Sequence, residues 1–95
     1  PSFYAAQSYD SVFLIKSAVE AVGGNLADMD GMRAAMEKAD FPSVRGAFRY
    51  GKNHFPIQNF YLRQVVEDGD GNWTTSVVST VLKDHQDSYV GECKI

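Results

Sequence analysis

The first 22 residues hold more apolar side chains than one face of a helix can carry. Ser2 is a favourable N-cap and Gly23-Gly24 is a strong stop signal, so the sequence predicts a helix over residues 2–22. Four consecutive apolar residues, Val12–Ile15, cover all sides of this helix. The polar strip is interrupted by Phe13, and its members are Asp10, Lys16, Ser17 and Glu20. We therefore expect a helix buried on most of its surface, which needs more neighbours than the rest of the chain readily supplies.

Length and composition limit the chain to one domain of ordinary globular type. It has 95 residues, of which 44% are hydrophobic and 22% are charged, and this is too apolar for a disordered segment. The net charge is −3, and the basic residues are scattered; the nearest to a cluster is Arg45, Arg49 and Lys52. We therefore expect no nucleic-acid partner. No run of about 18 apolar residues, as a membrane-spanning helix requires, is present in the sequence.

Cys93 is the only cysteine, so no disulfide can form within the chain. It is either a free thiol near the end or half of a disulfide to a cysteine outside this sequence, which would indicate an oxidising compartment. The chain starts at Pro1 rather than at methionine and enters helical sequence at once. We expect a fragment or a processed chain.

A second, shorter helix is predicted from a cap at Asp28 or Asp30 up to about Lys38. Its methionines and one alanine recur at spacings of three and four on one face; they are Met29, Met32, Met36 and Ala39. Such a stripe can form an adaptable binding groove, but core packing is the favoured interpretation. Phe41-Pro42 ends the helix, because the residue before proline avoids helical geometry.

The second half of the chain has the pattern of strands. A short strand is predicted within residues 44–50 after Gly46, followed by a turn or crossover over residues 52–56. Residues 59–67 and 73–82 read as two strands, and the acidic turn at 68–72 joins them into a hairpin. The remaining residues form a polar tail, with one helical turn at most.

No arrangement of residues indicates catalysis or a bound metal. Asp68, Asp70 and Asn72 have the spacing of calcium ligands, but the required glycine and glutamate are replaced by Trp73 and Ser79. His54, His85 and Cys93 are not at metal-ligand spacing. We therefore expect no enzyme activity, no metal and no cofactor.

Aromatic side chains are concentrated in two places, near the start of the first helix and around the predicted crossover. They can be core residues, or they can form the wall of a ligand pocket. The residues are Phe3, Tyr4 and Tyr9 in the first group and His54, Phe55 and Phe60 in the second.

Several motifs together resemble one known family. Residues Tyr4–Asp10, followed by Phe13-Leu14-Ile15, resemble the YAAQxYDA…LI helix of periplasmic solute-binding proteins of the branched-chain amino-acid type, which deliver ligands to ABC transporters. The resemblance covers nearly the whole chain in order; its other motifs are Ala39-Asp40-Phe41, Val44-Arg45-Gly46, Asn53–Gln58, Phe60–Arg63, Asp87-Ser88-Tyr89 and Glu92-Cys93-Lys94. The run NHFPIQ is most similar to the branch that binds aromatic carboxylates.

This resemblance implies an α/β fold that is the C-terminal part of a two-lobed, doubly wound binding protein with its ligand between the lobes. Residues 1–51 would be the helices and a strand of one lobe. Residues 52–95 would be the crossover and the terminal strands of the other lobe. The stretch KNHFPIQNFYLRQVV would be the hinge strand that enters a sheet begun elsewhere.

The function implied is that of the periplasmic component of an ABC importer, which closes around a small carboxylate, either an amino acid or an aromatic acid. Phe3 and Tyr4, at the N-terminus of the first helix, would contribute to the cleft wall, and His54 and Phe55 at the hinge are further candidates. Helix N-termini also favour anions, which suits a carboxylate ligand. The expected partners are this ligand, a transporter permease and, for the chain alone, other copies of itself. The alternative function is a ligand-sensing receptor or regulatory domain of the same fold.

Overall fold

The computed structural model describes residues 2–94, so Pro1 and Ile95, the first and last residues of the predicted fragment, lie outside it. Helix α1 spans Phe3–Ala21, and the Ser2 hydroxyl accepts a hydrogen bond from the Ala5 amide at 3.2 Å. Gly23 and Gly24 follow with φ of 60° and 79°, in the left-handed region that glycine adopts at low cost. The predicted helix and both of its end signals are confirmed.

Helix α2 spans Met29–Lys38 and packs against α1. The Asp28 carboxylate accepts a hydrogen bond from the Gly31 amide at 2.9 Å, so Asp28 rather than Asp30 is the cap. The helix ends at Lys38, and the C-cap residue Ala39 adopts φ of 50° and is buried. In the predicted methionine stripe, Met32 and Met36 are half-buried while Met29 is exposed, so only part of this face packs inside the described region.

The sheet has three antiparallel strands in the order β1-β2-β3. Strand β1 spans Phe48–Tyr50, β2 spans Pro56–Glu67 and β3 spans Trp73–His85. The predicted turn after Tyr50 is present, and β1 pairs with the first residues of β2 across it. Strands β2 and β3 each extend three residues beyond the predicted bounds, β2 at its start and β3 at its end. The added residues of β3, 83–85, are polar and carry no apolar alternation to reveal them, whereas those of β2 begin with Pro56, a residue that is atypical of strands.

The acidic turn between β2 and β3 is held by the side chain of Asp68. Its Oδ1 accepts hydrogen bonds from the amides of Asp70 at 2.9 Å and Asn72 at 2.8 Å. These bonds hold the pKa of the Asp68 carboxyl below its usual value. The carboxylate is engaged by its own turn, as expected of a solvated hairpin. Beyond β3, a single turn of 3₁₀ helix spans Val90–Glu92.

Few apolar side chains are buried within residues 2–94. Ala18, Ala39 and Ile57 form the apolar core, and no other large apolar side chain is fully enclosed there. On α1, Val12 is 65% exposed and Ile15 is 54% exposed, so the burial expected of this helix is not met by the described residues. Neither described helix is long and apolar enough to cross a membrane.

Candidate functional site

The most enclosed polar group of the described region is the carboxylate of Asp10, in the middle of α1. Its side chain is 1% exposed. Its Oδ2 accepts hydrogen bonds from the Ser43 hydroxyl at 2.6 Å and from Arg45 Nε at 2.7 Å, and its Oδ1 accepts one from the Val44 amide at 3.0 Å. Since both oxygens have donors, the charge is tolerated away from water.

Arg45 also contacts residues of the sheet. One of its terminal nitrogens donates to Gln58 Oε1 at 3.1 Å, and Gln58 is itself only 5% exposed. Its guanidinium carbon lies 4.5 Å from the centroid of the Phe48 ring, within reach of a cation–π interaction. The Tyr61 hydroxyl donates to the Arg45 carbonyl at 3.0 Å. The segment that follows α2 is thereby tied to β1 and β2.

Burial and hydrogen bonding act on Asp10 in opposite directions. Burial raises the pKa of its carboxyl, whereas the hydrogen bonds from Ser43, Arg45 and Val44 and the charge of Arg45 lower it. The net effect leaves the pKa of Asp10 below its ordinary value. The carboxylate is therefore ionised at neutral pH and forms a true ion pair with Arg45.

A cavity of about 570 Å³ lies beside this cluster. Its walls come from the first turn of α1, from the segment Val44–Gly46, and from residues of the paired strands β2 and β3. Phe3 and Phe60 supply aromatic surface, and Arg63 supplies a cationic group. No group of three or more His, Cys, Asp or Glu residues in the described range could hold a metal ion. Aromatic rings with a nearby cation suit a small anion that has an apolar body.

The four predicted ligand residues do not meet in one cavity. Phe3 lines the 570 Å³ cavity, whereas the adjacent Tyr4 is 77% exposed and is not among its lining residues. His54 lines a separate cavity of about 260 Å³, and its Nε2 lies 3.2 Å from Glu37 Oε1. Phe55 is 61% exposed.

The sequence prediction for Asp10 was wrong, because it assigned this residue to a polar strip with Lys16 and Glu20. Those two residues form an exposed ion pair, but Asp10 points into the structure, where it meets donors from another segment. Arg45 and Gln58 were also missed as members of a functional cluster. The available signal was an acidic residue two positions before a wholly apolar run, together with the arginine in Val44-Arg45-Gly46.

Comparison with known proteins places these features in context. The family model described as periplasmic binding protein matches residues 1–70. A solved structure of the solute-binding protein of an ABC transporter from R. palustris, in complex with benzoate, is 36% identical and superposes with a TM-score of 0.75. The match covers 97% of this chain but only 24% of that protein. No curated protein matches the sequence significantly.

Proposed function

Since the chain belongs to the periplasmic binding protein family, we propose that it forms part of a solute-binding protein that captures a small aromatic carboxylate for an ABC importer. The observation that carries this proposal is the similarity, along nearly the whole chain, to a solute-binding protein whose structure contains benzoate. Because the chain spans about a quarter of that protein, at 24% of its length, the rest of the ligand site would come from structure outside this sequence.

The cavity beside α1 supports the same ligand class. An aromatic acid has a flat apolar ring and one negative charge, and it needs aromatic walls together with a source of positive potential. Phe3 and Phe60 offer the walls. Arg63, which lines the cavity, and the first turn of α1 offer positive potential there.

The partners in this proposal are a carboxylate ligand and the permease of an ABC transporter, and the location is the periplasm. The protein would act by closing two lobes around its ligand about a hinge that includes the start of β2. The proposal contains no catalytic step, no cofactor and no nucleic acid.

Calorimetry on the complete gene product tests the ligand class directly. Benzoate should bind with measurable heat, and leucine should bind more weakly. Tight leucine binding with no response to benzoate would contradict the aromatic-carboxylate assignment while leaving a solute-binding role in place. Absence of binding to either compound would contradict the proposal as a whole.

The contribution of Phe3 can be tested by substitution. Phe3→Ala removes an aromatic wall, and burying a phenylalanine ring contributes about 1.5–3 kcal/mol, so benzoate affinity should fall roughly tenfold or more. Tyr9→Ala is the matched control, because Tyr9 lies on the same helix, is half exposed and does not line the cavity. Equal losses in both variants would show that Phe3 acts only through the stability of α1.

A further inference from the structure

The walls of the 570 Å³ cavity have three parts, the first turn of α1, the segment Val44–Gly46 and the paired strands β2 and β3, and one polar cluster touches all three parts. Asp10 lies on α1, whose first turn is one wall. Arg45 lies in the segment Val44–Gly46, which is the second wall. Gln58 lies on β2, which is part of the third wall, and it both lines the cavity and accepts the Arg45 hydrogen bond.

Apolar packing alone does not fix these walls relative to one another. The buried apolar residues are two alanines and Ile57, which offer little interlocking surface within residues 2–94. The contacts in the cluster, by contrast, are short and directional, and their central carboxylate is sheltered from water. Directional bonds between enclosed charged groups restrict geometry more than exposed ion pairs do.

We propose that Asp10, Arg45 and Gln58 act as a clasp that holds the three walls of the cavity in fixed relative positions, and so sets its affinity for a ligand. This inference rests on the proposed function for the ligand, but the positioning itself does not depend on it. Arg45 acts here as a positioning residue, and it also lines the cavity. Its Nε and one terminal nitrogen are already engaged by Asp10 and Gln58, and its planar group lies over Phe48.

The hydrogen bonds of the clasp also predict which residues become more mobile when one of its contacts is removed. The Val44 amide donates to Asp10, and the Tyr61 hydroxyl donates to the Arg45 carbonyl, so the segment is held from both sides. If Asp10 loses its charge, the contact with α1 weakens first, while the contact with Tyr61 remains. The amide of Val44 should then exchange with solvent more rapidly, and the cavity should lose its fixed width.

Asp10→Asn in the complete gene product is the primary test, since it keeps the shape of the side chain and removes its charge. Asp84→Asn is the matched control, because it makes the same change in an Asp–Arg pair that is exposed and does not line the cavity. Hydrogen exchange of the Val44 amide and benzoate affinity by calorimetry are measured well below the melting temperature. Asp10→Asn should accelerate exchange at least tenfold and weaken benzoate binding at least fivefold, whereas Asp84→Asn should change neither more than twofold.

A second variant guards against a failure of Asp10→Asn to fold. Ser43→Ala leaves the ion pair of Asp10 and Arg45 intact and removes one donor to Asp10, and Ser43 does not line the cavity; this variant should also accelerate exchange of the Val44 amide and weaken benzoate binding, each less than Asp10→Asn does. Unchanged Val44 exchange in Asp10→Asn would overturn the clasp. Faster exchange with unchanged benzoate affinity would reduce it to a purely structural role. If the wild-type protein binds no benzoate, the proposed function fails, and the exchange measurement still decides whether the clasp exists.

Discussion

Gly46 gives a sharp test of how tightly the cavity segment is fitted to the sheet. Its φ is 91°, a value that residues with a side chain rarely adopt, and a Cβ added there would lie 2.8 Å from the Tyr61 hydroxyl oxygen. That oxygen sits at the end of a rigid ring, and it donates to the Arg45 carbonyl at 3.0 Å. Gly46→Ala must therefore strain the backbone and also displace a bonded hydroxyl.

The magnitude follows from these two effects. A left-handed conformation costs a non-glycine residue roughly 1–2 kcal/mol, and loss of the hydroxyl hydrogen bond costs about 1 kcal/mol more. We expect Gly46→Ala to lower the free energy of unfolding by about 2–3 kcal/mol, measured by urea denaturation of the complete gene product. Gly69→Ala is the control, because a Cβ added at Gly69 would meet nothing within 4 Å and its φ is not in the left-handed region.

A double-mutant cycle separates the strain from the clash. Tyr61→Phe alone should cost about 1 kcal/mol, since it removes the hydroxyl that donates to the Arg45 carbonyl. The double variant lacks the hydroxyl oxygen with which the added Cβ would clash. Its loss of unfolding free energy should therefore be about 1 kcal/mol smaller than the sum of the losses in the two single variants. Two results would refute the close approach of Gly46 to the Tyr61 hydroxyl. One is strict additivity of the unfolding free energies, and the other is a loss in Gly46→Ala no larger than that in Gly69→Ala.

Three further outcomes are expected. Folding lowers the pKa of Asp10, so the stability that its charge contributes is complete above the ordinary pKa of about 3.9. This stability is lost as the pH falls through the lower pKa of the folded state. The difference in unfolding free energy between wild type and Asp10→Asn should therefore shrink over that pH interval. Asp68→Ala should speed hydrogen exchange of the Asp70 and Asn72 amides without affecting that of Val44, as measured by NMR. The 95-residue chain alone should form dimers or larger species at micromolar concentration, because its exposed strand edges and apolar side chains favour pairing; a stable monomer in sedimentation equilibrium would contradict this.

The local elements could be predicted from the sequence because their signals lie within a few residues of one another. Ser2 and the glycine pair bracket α1, and Asp68 with its neighbouring glycines marks the hairpin turn. The end of β3 could not be found, because Lys83–His85 is polar and only its pairing with β2 makes it a strand. The sequence therefore predicted the helices and the hairpin well and the strand ends poorly.

The candidate site depends on contacts between distant parts of the chain, which no local pattern encodes. Asp10 and Arg45 are separated by 35 residues, and neither is unusual in its immediate neighbourhood. Periodicity assigned Asp10 to the solvent side, because an acidic residue on a helix is exposed unless it has partners. Only the folded arrangement shows that Ser43, Val44 and Arg45 arrive together at that position.

A structure with few buried apolar side chains can still define a cavity, because polar and apolar contacts have different roles in it. The outer side of α1 and the surfaces of the β2–β3 hairpin leave apolar side chains exposed, among them Val12 and Val65. In the proposed two-lobed protein these are the surfaces on which neighbouring elements would pack, since apolar patches of this kind mark contact sites. The inner side of α1 is different, because it is held by the charged cluster around Asp10 in addition to its packing against α2. Apolar contacts tolerate small shifts between the packed elements, whereas a hydrogen-bonded ion pair does not. The cluster of Asp10, Arg45 and Gln58 therefore keeps the width of the cavity constant.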